Sequence, residues 1–143
     1  METTVIRNAS WAVVWNGDHH AYRKDVDIAF AGGAIIHIGP GYEGAASREV
    51  DGRDRLVAPG FVNIHTHPTS EPLRKGITDE TLSPGFWHSS LYEYLTVFVN
   101  DQPGNIAAMQ VAMAELLLSG VTTVVDLSMP FDGWLDVLAD SGI

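Results

Sequence analysis

Two histidines stand one residue apart, His65 and His67, at the end of an apolar run. In a β-strand, residues two apart point to the same side, so both imidazoles project together and Thr66 points away from them. The strand rise places their Cα atoms about 6.5–7 Å apart, and both rings can then reach one ion at metal–nitrogen distances of about 2.0–2.1 Å. The spacing therefore predicts two ligands of one metal site.

Two histidines can also lie near a strand end without binding a metal, so the surrounding sequence decides between these interpretations. The pair ends an apolar segment, and Pro68 follows immediately and ends the strand. In barrels of alternating strands and helices, active sites lie at the C-terminal ends of the strands. The position of the pair therefore favours a metal site as much as its spacing does.

The sequence around the pair is LVAPGFVNIHTH, residues 56–67. It resembles the first barrel strand of the amidohydrolase superfamily, whose signature is an apolar strand, a Pro-Gly turn and a His-x-His end. The segment before it resembles the small β-sandwich that precedes that barrel, and ELLLSGVTT, residues 115–123, resembles the next helix and strand. Within the superfamily, the chain is most similar to the branch of cytosine deaminase, guanine deaminase and the triazine chlorohydrolases.

The resemblance implies that His65 and His67 bind a divalent metal, Zn2+ or Fe2+. It also implies histidines from the fifth and sixth barrel strands, an aspartate from the eighth and, in binuclear members, a carboxylated lysine from the fourth. All of these positions would follow Ile143. Because a catalytic zinc site takes three protein ligands, we expect this chain alone to be inactive and to need the rest of the barrel or a complementary chain.

The implied reaction is hydrolysis by a metal-activated water, whose pKa falls toward about 7. We expect hydrolytic deamination of a nitrogen heterocycle, a small-molecule substrate, with a general acid and base that this sequence does not identify. Ring-amide or C–Cl hydrolysis on the same scaffold stays an alternative, because fold and metal do not distinguish these reactions. Alternatives of another class are a non-catalytic subunit of the same fold and an inactive fragment.

Further candidates for substrate contacts follow the histidine pair. Loops after barrel strands shape substrate pockets, and the long loop here contains Glu71, Arg74, Trp87, His88 and Tyr92. His88, next to Trp87, is a candidate for contact with a planar ring, although a histidine exposed on the surface is the commoner case. Asp126 ends the second barrel-type strand, where it either contacts substrate or caps the following turn.

The pattern of apolar residues changes near Pro59. Before it, period-two alternation and turn signals predict short strands at residues 11–15, 26–30 and 34–38, and a hairpin-like unit over residues 49–57. These strands predict a small β-sandwich module over residues 1–56. From residue 57 the pattern predicts a strand, a long loop with a helix, and then a helix, a strand and a helix. The predicted positions after residue 57 are 61–65, 90–99, 105–119, 121–127 and 134–139.

Glycines are expected to end two of these helices. Gly120 follows the helix at residues 105–119, where a glycine can adopt the left-handed conformation, and Gly142 should end the last helix. The helix at residues 105–119 also has one apolar face, which contains Ile106, Met109, Met113, Leu116 and Leu117.

This βαβα order predicts a parallel sheet. The whole chain is thus expected to be an α/β protein in which residues 57–143 begin a (β/α)8 barrel that stops before its third strand. Two apolar parallel strands need neighbours on both sides, so we also expect exposed apolar surface.

Composition excludes several classes of function. The net charge is −10, with only 8 lysines and arginines, which argues against binding nucleic acid or an anionic membrane. The chain has no cysteine, so disulfides, thiolate metal sites and cysteine nucleophiles are excluded. No signal peptide or apolar span is visible. We expect a cytoplasmic protein that forms a homo-oligomer.

Overall fold

The computed structural model describes residues 2–75 and 99–143. The chain is mixed α/β and divides into two compact units, Met1–Pro59 and Gly60–Ile143. The helix predicted at residues 90–99 falls almost wholly outside the described residues. None of the helices in the described ranges is long and apolar enough to span a membrane.

The first unit contains one five-stranded sheet in the order β3-β2-β1-β4, with β5 also paired to β1. β1 pairs antiparallel with β2, and β2 with β3. The three strands predicted before residue 39 are confirmed, although β1 and β2 extend well beyond the alternating segments, because backbone pairing also accommodates exposed polar side chains. The strands are β1 Thr3–Trp15, β2 His20–Ala31, β3 Ala34–Gly39, β4 Arg48–Asp51 and β5 Leu56–Val57.

The hairpin predicted over residues 49–57 is wrong. β4 and β5 do not pair with each other; both run parallel to β1, on either side of a break in its register between Ile6 and Ala9. The Gly52 amide donates to the Arg7 carbonyl at 2.7 Å, and a Cβ on Gly52 would lie 2.8 Å from the Ala9 Cα. The glycine therefore lets the segment continue alongside β1 where a hairpin would have reversed it.

A buried carboxylate organises the same region of the sheet. Asp27 accepts hydrogen bonds from the Arg7 guanidinium at 2.8 Å, the Asn8 amide at 2.8 Å and the Tyr42 amide at 2.9 Å. Burial opposes its charge, but the bonds from Asn8, Arg7 and Tyr42 outweigh that effect and hold the pKa of Asp27 below its ordinary value. Asp27 thus joins β2 to the Asn8 turn of β1, where φ is +53°, and to the loop before β4.

The second unit follows the predicted βαβα order in its described part. The two strands described in this unit, β6 and β7, pair in parallel. The longer helix between them ends at Leu118, and Gly120 beyond it has the predicted left-handed conformation with φ +81°. The Gly120 carbonyl then accepts the Phe61 amide at 2.8 Å. The elements are β6 Phe61–Thr66, α1 Glu71–Arg74, α2 Gln102–Leu118, β7 Val121–Asp126 and α3 Trp134–Ser141.

The buried face of α2 differs from the face that its largest apolar residues predict. Met109 and Met113 are buried as expected, but Ala108 and Ala112 accompany them, whereas Leu117 is 40% exposed. α2 packs against α1, β7 and α3. Small alanines permit closer approach of those elements than leucines would, so the inward face lies toward the alanines.

Apolar side chains of the parallel strands are exposed, as predicted. Phe61, Val62 and Ile64 of β6 are 66%, 60% and 76% exposed, and Val125 of β7 is 45% exposed. A strand with unpaired edges and uncovered apolar side chains is typical of one part of a larger sheet.

Candidate metal centre

The two predicted ligands lie together at the C-terminal end of β6. His65 is in the strand and His67 is the first residue after it. Their Nε2 atoms are 3.2 Å apart, and their ring planes are inclined by 64°. His65 is exposed and His67 half-buried, whereas Thr66 between them points the other way and is fully buried. Both imidazoles therefore face accessible space from the same side of the strand.

This geometry fits a tetrahedral divalent ion. Two nitrogens at about 2.05 Å from a tetrahedral centre are about 3.3 Å apart, close to the 3.2 Å between the Nε2 atoms. Neutral imidazole is a good ligand for zinc and for iron. In the described ranges, no cluster of three or more histidine, aspartate or glutamate side chains is arranged to hold a metal. The chain thus supplies two donors in a suitable arrangement.

Hydrogen bonds fix the backbone on which the imidazoles stand. The His65 amide donates to the Asn63 side-chain oxygen at 3.0 Å, and the Thr66 carbonyl accepts the Leu127 amide at 2.9 Å. The Thr66 hydroxyl and the His67 amide both donate to Glu71, at 2.9 Å and 2.7 Å. The strand end is therefore held by its own side chains, by β7 and by the first turn of α1.

The chain was compared with known proteins. No protein-family model matches it. It is 29% identical over 150 residues to a 5-methylthioadenosine/S-adenosylhomocysteine deaminase from Pelotomaculum thermopropionicum, covering 100% of this chain and 33% of the relative. It shares its fold with an atrazine chlorohydrolase from Arthrobacter aurescens solved with zinc, at a TM-score of 0.70 and 22% identity over 96% of this chain and 32% of that one. An adenosine deaminase from Xanthomonas campestris with bound zinc also has a TM-score of 0.70 and 22% identity, covering 96% of this chain and 31% of that one.

These relatives support the amidohydrolase superfamily as the family of this chain. The chain corresponds to the N-terminal portion of such proteins and spans about a third of the length of the curated relatives that cover it fully. The resemblance inferred from LVAPGFVNIHTH is therefore confirmed at the level of the superfamily and its deaminase and chlorohydrolase branch.

Glu71 lies beside the histidine pair, but its carboxylate contacts the chain itself. It accepts the Thr66 hydroxyl and the His67 amide, as described above, whereas the sequence had suggested a substrate contact, which stays a prediction. The overlooked signal was a threonine between the two histidines followed five residues later by a glutamate across Pro68.

Asp126 lies opposite Thr66 in the β6–β7 pairing. Its Oδ1 accepts the Ser128 amide at 2.7 Å and its Oδ2 accepts the Trp134 indole N–H at 2.8 Å. Of the two predicted alternatives, these contacts match the turn cap, and they tie the end of β7 to the start of α3.

The remaining candidates are not brought to the pair by any described contact. Trp87, His88 and Tyr92 lie outside the described residues. Arg74 ends α1, and its Nε atom is buried without a hydrogen-bond partner in the described part of the chain. Its neighbour Lys75 contacts Glu115 and so joins α1 to α2.

Proposed function

We propose that the protein containing this chain is a zinc-dependent hydrolase that deaminates a nitrogen heterocycle, and that His65 and His67 are two of its metal ligands. The observation that carries the proposal is the 3.2 Å separation of the two Nε2 atoms on one side of a strand end. Several relatives are named as deaminases, and related structures were solved with zinc. Fe2+ suits the same imidazole donors, so metal analysis should measure both ions.

We further propose that residues 1–56 form a β-sandwich module and that residues 57–143 begin a (β/α)8 barrel. Two features of the second unit support the barrel. Its elements follow the order strand, helix, parallel strand that a barrel requires, and apolar side chains of β6 and β7 are exposed. In such a barrel the C-terminal end of β6 faces the active-site mouth. The first unit contributes one sheet among its described elements, which would be one layer of the sandwich.

A divalent ion held by these residues would act as a Lewis acid and would lower the pKa of water in the site. The roles of the chain's own residues follow from their contacts. His65 and His67 present the lone pairs of their Nε2 atoms, while Asn63, Thr66 and Glu71 hold the backbone that aims them. The third ligand and the groups that transfer protons would come from elsewhere in the protein.

Dechlorination or ring-amide hydrolysis is the second candidate reaction, since the chain shares its fold with a chlorohydrolase and a 61-residue segment is 46% identical to N-isopropylammelide isopropyl amidohydrolase from a Pseudomonas strain. Product analysis separates the reactions. Incubation of the purified full-length protein with 5-methylthioadenosine should release ammonia, and incubation with atrazine should release no chloride. Chloride release without deamination would favour the second candidate.

The metal proposal has its own test. Zinc and iron should be counted by elemental analysis in the full-length protein and in His65→Ala and His67→Ala, with His37→Ala as the control from the first unit. We expect loss of metal and of turnover in the first two variants and neither loss in the control. A full metal complement and normal turnover in both variants would show that the two histidines are structural.

A further inference from the structure

We propose that Glu71 is a positioning residue of the His65–His67 centre and acts through the Thr66 hydroxyl and the His67 amide. The inference rests on the proposed function, because it assigns a role toward the metal that those histidines would bind. It differs from a substrate contact, since the atoms of Glu71 that would meet a substrate are already used within the chain.

The first support is the set of bonds to the carboxylate. Its Oε1 accepts the His67 amide at 2.7 Å and the Thr66 hydroxyl at 3.0 Å, and its Oε2 accepts the same hydroxyl at 2.9 Å. Thr66 is fully buried on the side of the strand away from the imidazoles. Glu71 therefore binds the strand end on the side opposite the two imidazole rings, and their accessible side stays free.

The second support is the position of His67 in the backbone. β6 ends at Thr66, so the His67 amide has no partner in the β-ladder. The His67 carbonyl accepts the amides of Ser70 at 2.9 Å and Glu71 at 3.0 Å. The side chain of Glu71 returns to the His67 amide, so both backbone polar groups of His67 are bound by one short turn. Without the carboxylate, an amide next to a ligand would lose its partner.

The test measures metal affinity in the full-length protein, by competition for Zn2+ with a chromogenic chelator, and the visible absorption spectrum of the Co2+-substituted protein. The variants are Glu71→Ala, which removes both bonds, Thr66→Val, which removes only the hydroxyl, and Thr66→Ser, which keeps it. Glu115→Ala is the matched control, a glutamate on α2 that pairs with Lys75.

We expect Glu71→Ala and Thr66→Val to weaken Zn2+ binding about 10- to 100-fold, as partners of ligand residues typically do, and to change the Co2+ spectrum. Thr66→Ser should restore both properties, and Glu115→Ala should leave both unchanged. If Glu71→Ala fails to fold, the comparison of Thr66→Val with Thr66→Ser still decides the question.

Two failures are distinguishable. If His65→Ala and His67→Ala keep the metal, the proposed function itself is wrong. If those variants lose the metal while Glu71→Ala and Thr66→Val bind Zn2+ with wild-type affinity and spectrum, only the positioning role is wrong. A higher KM in Glu71→Ala at unchanged metal affinity would also overturn it, because that result identifies a substrate contact.

Discussion

The side chains of residues 65–67 point alternately to the two sides of the strand end, as in any β-strand. His65 and His67 point to the accessible side, whereas Thr66 points to the buried side and receives the carboxylate of Glu71. Period-two geometry therefore places two candidate metal donors and their anchor within a single strand end. Thr66 fixes the strand end because its hydroxyl is buried and hydrogen-bonded, so its side chain cannot rotate freely.

Asp27 supports a prediction at the same scale. Asp27→Asn would place an amide nitrogen either against the Asn8 amide or against the donors of both Arg7 and Tyr42, so we expect the first unit to lose about 1–3 kcal/mol of stability. Urea unfolding should detect this loss, and Asp18→Asn, which changes an exposed carboxylate, should show almost none. Equal stability of Asp27→Asn and wild type at neutral pH would contradict the role assigned to this carboxylate.

The lowered pKa of Asp27 gives the pH dependence of that effect. A carboxylate whose folded-state pKa is depressed stabilises the fold above its unfolded pKa, which is about 3.9, and loses this contribution as pH falls through the folded value. The difference in unfolding free energy between wild type and Asp27→Asn should therefore be full at neutral pH and shrink below about pH 4. A difference that grew on acidification would have the wrong sign.

At the scale of elements, β6 and β7 approach each other closely where both begin. A Cβ on Gly60 would lie 2.1 Å from the Thr122 Oγ1, 2.4 Å from its Cγ2 and 2.8 Å from its Cβ. This close approach explains why residue 60 is a glycine, because any side chain there would push β6 away from β7.

We predict that Gly60→Ala destabilises the protein by about 1–3 kcal/mol, the usual range for overpacking. Thr122→Ala in the same background should recover part of the loss, because it removes the two nearest atoms. The measurement is a double-mutant cycle by urea unfolding. Additive effects of the two substitutions would show that the steric contact is absent.

At the scale of the whole molecule, the chain leaves apolar side chains on β6 uncovered. Exposed contiguous apolar surface on this scale usually marks an interface. Because the chain spans only about a third of its curated relatives, the proposed cover is the remaining sheet of a barrel.

The corresponding prediction compares the chain alone with the full-length protein. The 143-residue chain should bind a hydrophobic dye strongly, and Val62→Thr with Ile64→Thr should reduce this binding. The same pair of substitutions in the full-length protein should destabilise it, because there the side chains would be buried. A cooperative, dye-free monomeric unfolding transition of the chain alone would argue against an interface on β6.

Features that depend on local stereochemistry could be predicted from the sequence alone. The histidine pair, the parallel βαβα order and the glycines that end α2 and α3 follow from strand alternation, helix periodicity and the left-handed conformation that glycine adopts at Gly120 and Gly142. Each of these features depends on residues close in sequence, so its pattern is visible without knowledge of the fold.

The tertiary structure was needed to show which distant groups meet. It paired β4 and β5 with β1 in parallel, turned α2 toward Ala108 and Ala112, and bound both oxygens of Asp126 to the turn before α3. Each strand or acceptor has several possible partners along the chain. Which partner it takes depends on close packing, which composition and periodicity do not reveal. Glu71 combines the two kinds of feature. Its closeness to the histidines is visible in the sequence, but its hydrogen bonds with the Thr66 hydroxyl depend on the fold.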